Sequence, residues 1–344
     1  MTTDARKGAL TLGVWEPDDV EAMAVCECTV VKGYTLPYMT RDGLNDDRMG
    51  PVSRHEQCLT CAGTWTTCPG HFGCIRLIAP MYHVLFMPTV LALLRRTCPG
   101  CSALRSSKAA PCDECGHPMP KLSGRVHTVN EEYTYAQRAA WSDALPLKAC
   151  VAASEAQRRL AGLSDADVAR AGLCAGRPEH LICTVLPVCP PQARPTVQQA
   201  SGRCSVDDLT HKYAEIIKAN DSLKTHLDGQ RPQHVIDDAL RALQWHVSTL
   251  IDSQISTSRK DFDYGRLEAR KGLRQRLEGK EGRFRKNLMG RLARACSVVR
   301  GESTNTQTTN QQASASTFPR APSSPPTQSS TSTKSACPSP SRST

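Results

Sequence analysis

The clearest order along this chain is a step of four and three: Leu209, Tyr213, Ile216, Asn220, Leu223 and Leu227 recur at the spacing of a helix that packs along a seam. Ile236, Leu240, Leu243, Val247, Leu250 and Gln254 repeat the step after the break DGQRP. The pattern predicts two antiparallel helices joined at a polar tip, with Asn220 at a seam position where a polar group fixes register. The alternative is two ordinary amphipathic helices packed on a domain.

Elsewhere the period changes. Residues 10 to 34, LTLGVWEPDDVEAMAVCECTVVKGY, read as a short strand, a helix starting at Pro-Asp-Asp and a second strand. Glycines and prolines break any period from Thr40 to Gly73, which predicts loops. Ile75 to Arg96 predicts a strand followed by a core helix, residues 131 to 172 an amphipathic helical stretch, and LICTVLPVCPP at 181 to 191 a buried strand closed by proline. The expected fold class is α+β.

From Gly301 the pattern stops. Of the last 44 residues 21 are Ser or Thr and only Phe318 is aromatic, too little apolar surface to offset the entropy of ordering, so residues 301–344 are expected to be a disordered tail. In the whole chain aromatic residues make up 5%, and the thin apolar supply points to an organising element besides burial. No window approaches the roughly 20 apolar residues that a membrane helix needs, and MTTDARKGALTLG lacks the charged start and apolar run of a signal peptide. No membrane association is expected, and a reducing compartment is favoured for the 17 cysteines.

The net charge is +10, and its distribution matters more than its size. Between Arg259 and Arg300, 14 Lys and Arg stand against 5 Asp and Glu, a net +9. Arg274, Arg276, Lys280, Arg283, Arg285, Lys286 and Arg291 crowd a segment broken by Gly279, Gly282 and Gly290, which suits a loop laid along phosphates. The competing reading is a solvated charged helix face.

Eight residues point to metal. Cys58, Cys61, Cys68 and His71 form two chelating pairs, each with two residues between ligands, and that spacing turns both members of a pair toward one ion, as tetrahedral zinc requires. Cys98, Cys101, Cys112 and Cys115 form a second set with ten residues between the pairs, with His117 as a possible substitute for one thiolate. Free or paired cysteines are the alternative, and a redox dithiol lacks the βαβ context it needs. Both centres read as structural, since four protein ligands leave no open position for water. The remaining cysteines lack paired spacing and read as small buried or incidental thiols, Cys74 drawing notice because it follows His71 by three residues.

At these residues a family resemblance enters. DGLNDDRMGP followed by CLTCAGTWTTCPGHFGCIRLIAP resembles the start of the largest, β′-type subunit of eukaryotic, archaeal and large-DNA-virus RNA polymerases. LICTVLPVCPPQARPTV, DDLTHKYAEIIKAN, LQWHVSTLIDSQI and RQRLEGKEGRFRKNLMG resemble later landmarks of the same family, in the same order, over roughly residues 10 to 291. The resemblance implies the module called the clamp: a zinc-binding core at 1–125, its remainder and lid region at 126–206, a coiled-coil hairpin at 207–256 and a rudder- and switch-like basic segment at 257–300. It carries over the same eight zinc ligands. It implies as partners template DNA, the RNA–DNA hybrid, other polymerase subunits, especially the second-largest, and initiation or elongation factors at the tip near Asp228 to Gln233, in the nucleus or, for a viral chain, in the virion or host cell.

The sequence departs from that pattern in places. Glu278 stands where the family usually has Lys, Lys286 where it has Gly, and after Gly290 the family's continuation is replaced by RLARACSVVRGES. The family's catalytic aspartate triad, which holds Mg2+ in the complete polymerase, is missing here. Lys260-Asp261-Phe262-Asp263-Tyr264-Gly265 imitates part of it but lacks the third aspartate and precedes the switch. No catalytic residue is therefore expected, and the chain alone is expected not to polymerise RNA. A stand-alone zinc-dependent nucleic-acid-binding factor is the alternative function.

Overall fold

The computed structural model describes residues 13–31, 40–105, 111–125, 128–141, 146–172, 176–198, 204–255, 270–280 and 282–289. The start of the strand expected at residue 10, the imitation motif with Asp261 and Asp263, Arg291 and the Ser/Thr-rich tail lie outside these residues. The chain divides into two compact units, Met1–Gly279 and Lys280–Thr344.

In chain order the first unit contains α1 (Pro17–Met23), β1 (Gly73–Tyr82), α2 (Met87–Leu94), β2 (Lys121–Arg125), β3 (Thr128–Glu132), α3 (Tyr135–Trp141), β4 (Lys148–Val151), α4 (Ala153–Ala161), α5 (Asp165–Arg170), β5 (Ile182–Val188), β6 (Val197–Gln198), β7 (Cys204–Ser205), α6 (Asp208–Asp228), α7 (Gln233–Ile251) and α8 (Leu273–Leu277). In the second unit Phe284–Met289 forms a short, wide helical turn. The mixture is α+β, and no helix among the described residues is long and apolar enough to cross a membrane.

Local signals account for several of these elements. Pro17 presets the first turn of α1, which Glu16 and Asp19 close as a reciprocal cap. Asp207 starts α6 by accepting the Leu209 N–H at 2.9 Å.

Two cores share one strand. β1 pairs antiparallel with β5, Gly73 opposite Val188 and Tyr82 opposite Ile182. Ile75, Met81, Leu186 and Val188 pack with Leu209, Tyr213, Ile216 and Leu223 of α6 and Leu243, Val247 and Leu250 of α7. The far end of β1 enters the second core, where Tyr82 joins Val90 and Leu94 of α2, Val129 and Val151 of the β2–β3–β4 sheet, and Ala156 and Leu160 of α4.

Between Arg76 and Met81 the register of β1 shifts away from β5, so backbone groups there lose their strand partner. Two side-chain amides bond the strand, Asn220 in this gap and Gln244 just beyond it. Asn220 donates from Nδ2 to the Arg76 carbonyl at 3.0 Å and accepts the Ile78 N–H at 3.0 Å. Gln244 accepts the Tyr82 N–H at 2.8 Å and donates to the Tyr82 carbonyl at 2.9 Å.

The expected seam position of Asn220 is thereby corrected: its amide serves β1. The seam closes at the base, where Leu209, Tyr213, Leu243 and Val247 are buried, and loosens toward residues 229–232, where Leu227 is exposed. Gln254, expected on the seam, lies beyond the end of α7, its N–H held by Asp252 Oδ1.

Two other expectations change. The helical stretch at 131–172 is interrupted by β4, because Val151 joins Val129 in the core when β4 pairs with β3, and this burial outweighs the surrounding helical periodicity. The strand expected after α1 is reduced to isolated bridges, Glu27 to Cys74 and Val30 to Gly43, as the chain leaves β1 to bond the Asp42 carbonyl through Thr29 and Val30.

Gln244→Leu removes the side-chain partners of both the N–H and the carbonyl of buried Tyr82 and should lower the unfolding free energy by about 2 to 4 kcal/mol, whereas Asn220→Ala, at a half-buried site that water can reach, should cost about 1 kcal/mol. Urea denaturation of the two variants measures the difference, and equal losses would show that the Tyr82 backbone is not sealed from water.

Candidate metal centres and the basic segment

The first quartet is built on a loop whose shape is set by charge. Asp46 is fully buried and accepts the Asp42 N–H at 2.7 Å, the Arg48 N–H at 2.9 Å and the Arg48 guanidinium at 2.7 and 2.9 Å. Burial alone would raise its carboxyl, but Arg48 and these N–H groups hold it down at about 2. So fixed, the loop braces both halves of the quartet. The Arg48 carbonyl accepts from Thr60 Oγ1 at 2.6 Å and lies 3.7 Å from Cys58 Sγ, and the Met49 carbonyl accepts the His71 N–H at 2.9 Å.

Three of the four chelating pairs are the same turn repeated. In each, the first cysteine's N–H donates five residues ahead and its carbonyl accepts from four residues ahead: Cys58 with Gly63 and Ala62, Cys98 with Ala103 and Ser102, Cys112 with His117 and Gly116. The turn requires a left-handed residue at the fourth step, and Ala62, Ser102 and Gly116 have φ of 54°, 61° and 71°. The remaining pair, Cys68 and His71, turns at Gly70 with φ of 82° and the Gly70 N–H 3.4 Å from Cys68 Sγ.

These turns bring the ligand atoms of Cys58, Cys61, Cys68 and His71 within 4.8 Å of one another, and likewise those of Cys98, Cys101, Cys112 and Cys115. Each quartet can hold one metal ion. Cys61 and Cys68 sulfurs lie 3.6 Å apart, Cys98 and Cys115 3.4 Å, Cys101 and Cys112 3.5 Å. Zn–S bonds of about 2.3 Å in a tetrahedron place sulfurs about 3.8 Å apart, so both sets fit zinc with little adjustment. His71 leaves its buried Nε2 without a hydrogen-bond partner among the described residues, a lone pair open to a metal. Burial would raise the Cys112 thiol, yet the N–H groups of Cys115 and Glu114 and the neighbouring Cys101 and Cys98 bring it down to about 7.

His117 takes no part in the second quartet. Its Nδ1 lies 2.8 Å from the Pro118 carbonyl and its ring packs 5.3 Å from Trp141, while Cys115 supplies the fourth sulfur. Cys74 is buried away from the first quartet, its backbone paired with Cys26 and Cys28.

The basic candidates divide. Arg274 Nη1 lies 2.7 Å from Asp252 and its Nε 3.2 Å from Glu278, and Arg276 Nη2 lies 2.6 Å from Asp207. Lys280, Arg283, Arg285 and Lys286 belong to the second unit and are exposed. Asp252 and Asp207 were not singled out in the sequence, because they lie in the chain at the two ends of the helix pair and nothing in their local spacing points to residues 274 and 276.

A family model described as RNA polymerase Rpb1, domain 1 matches residues 7–111 and 104–288. DNA-directed RNA polymerase II subunit RPB1 of Euplotoides octocarinatus is 32% identical over 320 residues, covering 82% of this chain and 66% of that protein. DNA-directed RNA polymerase subunits Rpo1N of Thermococcus celer and of Methanothermobacter thermautotrophicus (strain Delta H) are 32% and 33% identical, covering 83% and 82% of this chain and 35% of each relative. The chain thus spans about two thirds of the first relative and about a third of the other two.

Ala62→Gly relieves the left-handed strain in the first turn and should raise stability by about 1 kcal/mol, while Gly116→Ala should lower it by a similar amount. Gly70→Ala should cost more, because its Cβ would stand 2.9 Å from Gln192 Oε1 and Pro190 Cβ. Scanning calorimetry measures all three, and a destabilising Ala62→Gly would refute the shared turn.

Proposed function

We propose, since this chain belongs to the RNA polymerase Rpb1 family, that it forms the zinc-stabilised clamp region of a DNA-directed RNA polymerase largest subunit, which holds template DNA and the RNA–DNA hybrid during transcription. The observation that carries this reading is the pair of quartets, each at zinc-binding spacing within the family-matched residues. Cys58, Cys61, Cys68 and His71 bind one zinc ion, and Cys98, Cys101, Cys112 and Cys115 the other. With four protein ligands each, both ions are structural: they stiffen loops that have little apolar core of their own.

In the same reading α6 and α7 are the clamp's coiled-coil hairpin, whose tip near Asp228 to Gln233 meets initiation or elongation factors. Exposed Lys280, Arg283, Arg285 and Lys286, with Arg291 beyond them, grip the phosphate backbone, which confers hold without reading sequence. The other polymerase subunits, the second-largest above all, are the chain's partners, and the nucleus is its compartment. Catalysis with Mg2+ belongs to the assembled polymerase, and no residue of this chain is assigned to it.

Metal analysis of the purified chain should find two equivalents of zinc, falling to about one in Cys61→Ser and in Cys101→Ser. A strong chelator should abolish protease resistance between residues 40 and 120. Retention of that resistance in the metal-free chain would sink the structural-zinc reading.

Incubated with primed template, nucleotides and Mg2+, the isolated chain should bind DNA with an affinity that falls steeply with salt and should incorporate no nucleotide. Salt-independent binding would refute the phosphate grip, and metal-dependent incorporation would refute the reading that residues 1–344 do not polymerise RNA by themselves.

A further inference from the structure

The turn that follows β5 sits against the first candidate metal centre. Arg194 fixes it: the residue is 2% exposed, and its guanidinium donates to the Leu44 carbonyl, to the Cys189 carbonyl at 2.8 Å and to Thr210 Oγ1 at 3.1 Å. Two residues earlier, in the tight turn at Pro191–Ala193, the Gln192 side chain enters the gap between Gly50 and Gly70. A Cβ at Gly50 would overlap Nε2, and one at Gly70 would stand 2.9 Å from Oε1. Gly50 follows the Arg48 and Met49 carbonyls that brace the quartet, and Gly70 is the turn between Cys68 and His71.

Both ends of this carboxamide are buried, and neither has a hydrogen-bond partner among the described residues. An amide sealed from water with its bonds unmade is costly, and Arg194 keeps the backbone from carrying the side chain away. With nothing to fix which end faces which glycine, a half-turn of the carboxamide exchanges them and brings its donor to Gly70. There the Gly70 N–H already lies 3.4 Å from Cys68 Sγ. A sulfur bound to a metal carries negative charge and accepts such bonds, whereas a free thiol is a weak acceptor. The filled quartet thus supplies the partner that the carboxamide lacks.

We propose that Gln192 is a positioning residue of the first metal centre: in the zinc-bound chain its Nε2 donates to the Cys68 sulfur, fixes that ligand and slows loss of the ion. The proposal rests on the structural-zinc reading, and its test separates the two.

The full zinc-loaded chain is compared as wild type, Gln192→Met and Gln192→Glu. Methionine keeps the length of the side chain without a donor, and glutamate keeps its shape but only accepts. Alkylation by N-ethylmaleimide, resolved by peptide mass, follows Cys58, Cys61 and Cys68 separately from Cys98, Cys101, Cys112 and Cys115 in the same molecule. The cobalt(II)-substituted chain reports on the sulfurs through its thiolate-to-metal absorption band.

Both variants should speed labelling of Cys58, Cys61 and Cys68 by about tenfold or more, the usual effect of removing a partner of a metal ligand, and leave the second quartet unchanged. The cobalt band should move to longer wavelength, since a sulfur that loses a hydrogen bond gives up its electrons more easily.

Labelling at the wild-type rate in Gln192→Met would overturn the proposal, since it would mark a side chain that only fills space. An equal rise at both quartets would do the same, as the sign of a general loosening of the fold. If the first quartet of the wild-type chain is labelled as fast as in a strong chelator, the structural-zinc reading fails and takes the proposal with it. A protected wild type with unchanged Gln192→Met sinks the proposal alone.

Discussion

A strand that leaves its partner must find other hydrogen bonds for its backbone, and in this chain that constraint falls on β1. Between Arg76 and Met81 it parts from β5, where the Asn220 carboxamide bonds the Arg76 carbonyl and the Ile78 N–H; the Gln244 carboxamide bonds both backbone groups of Tyr82, where the strand is back in register opposite Ile182. One amide comes from each helix of the pair, so the helices are located along β1 by directional bonds as well as by the apolar packing between them. Because β1 runs from the first core into the second and begins two residues after His71, its placement orders both cores and the first candidate metal centre.

That centre lies where burial supplies little. From Thr40 to His71 there is no helix and no strand, and Leu44 and Met49 are among the few buried apolar side chains. A charged network stands in for a core: Asp46 locks Arg48, and the adjoining carbonyls reach Thr60 and the His71 backbone. Such a network is favourable only with its lone pairs filled, and the four bonds to Asp46 meet that condition. The ligand turns could be read from the sequence because zinc geometry is local, two residues between ligands. The network could not, since nothing in DGLNDDRMGP marks which aspartate turns inward.

The same distinction governs the rest of the chain. α6, α7, β1 and β5 were legible because their periods are long and each element buries one face. β4 was not, since its pairing with β3 is a non-local event that outweighs the helical spacing around it. Asn220 was placed correctly on its helix and wrongly in its role: the period shows where a residue faces on its own helix, but the partner was a backbone 142 residues away in sequence. The His117 alternative closed for a similar reason, its Nδ1 lying against the Pro118 carbonyl and its ring against Trp141, contacts that spacing does not encode.

Charge counting meets its limit in the basic segment. A net +9 between Arg259 and Arg300 describes a field, and a field attracts phosphate only to the extent that fixed acids do not already neutralise it. Asp207, Glu215 and Asp252 stand within 2.7 Å of Arg276, Arg270 and Arg274, so three of the segment's cations act first as attachments to the helix pair. An exposed pair of this kind contributes little to stability, but these acids are mostly buried and share further hydrogen bonds with Leu209, Gln254 and Gln275. The charges of the described segment are therefore divided by position: Arg270, Arg274 and Arg276 before Gly279 are paired with acids of the helix pair, and Lys280, Arg283 and Arg285 after it are exposed.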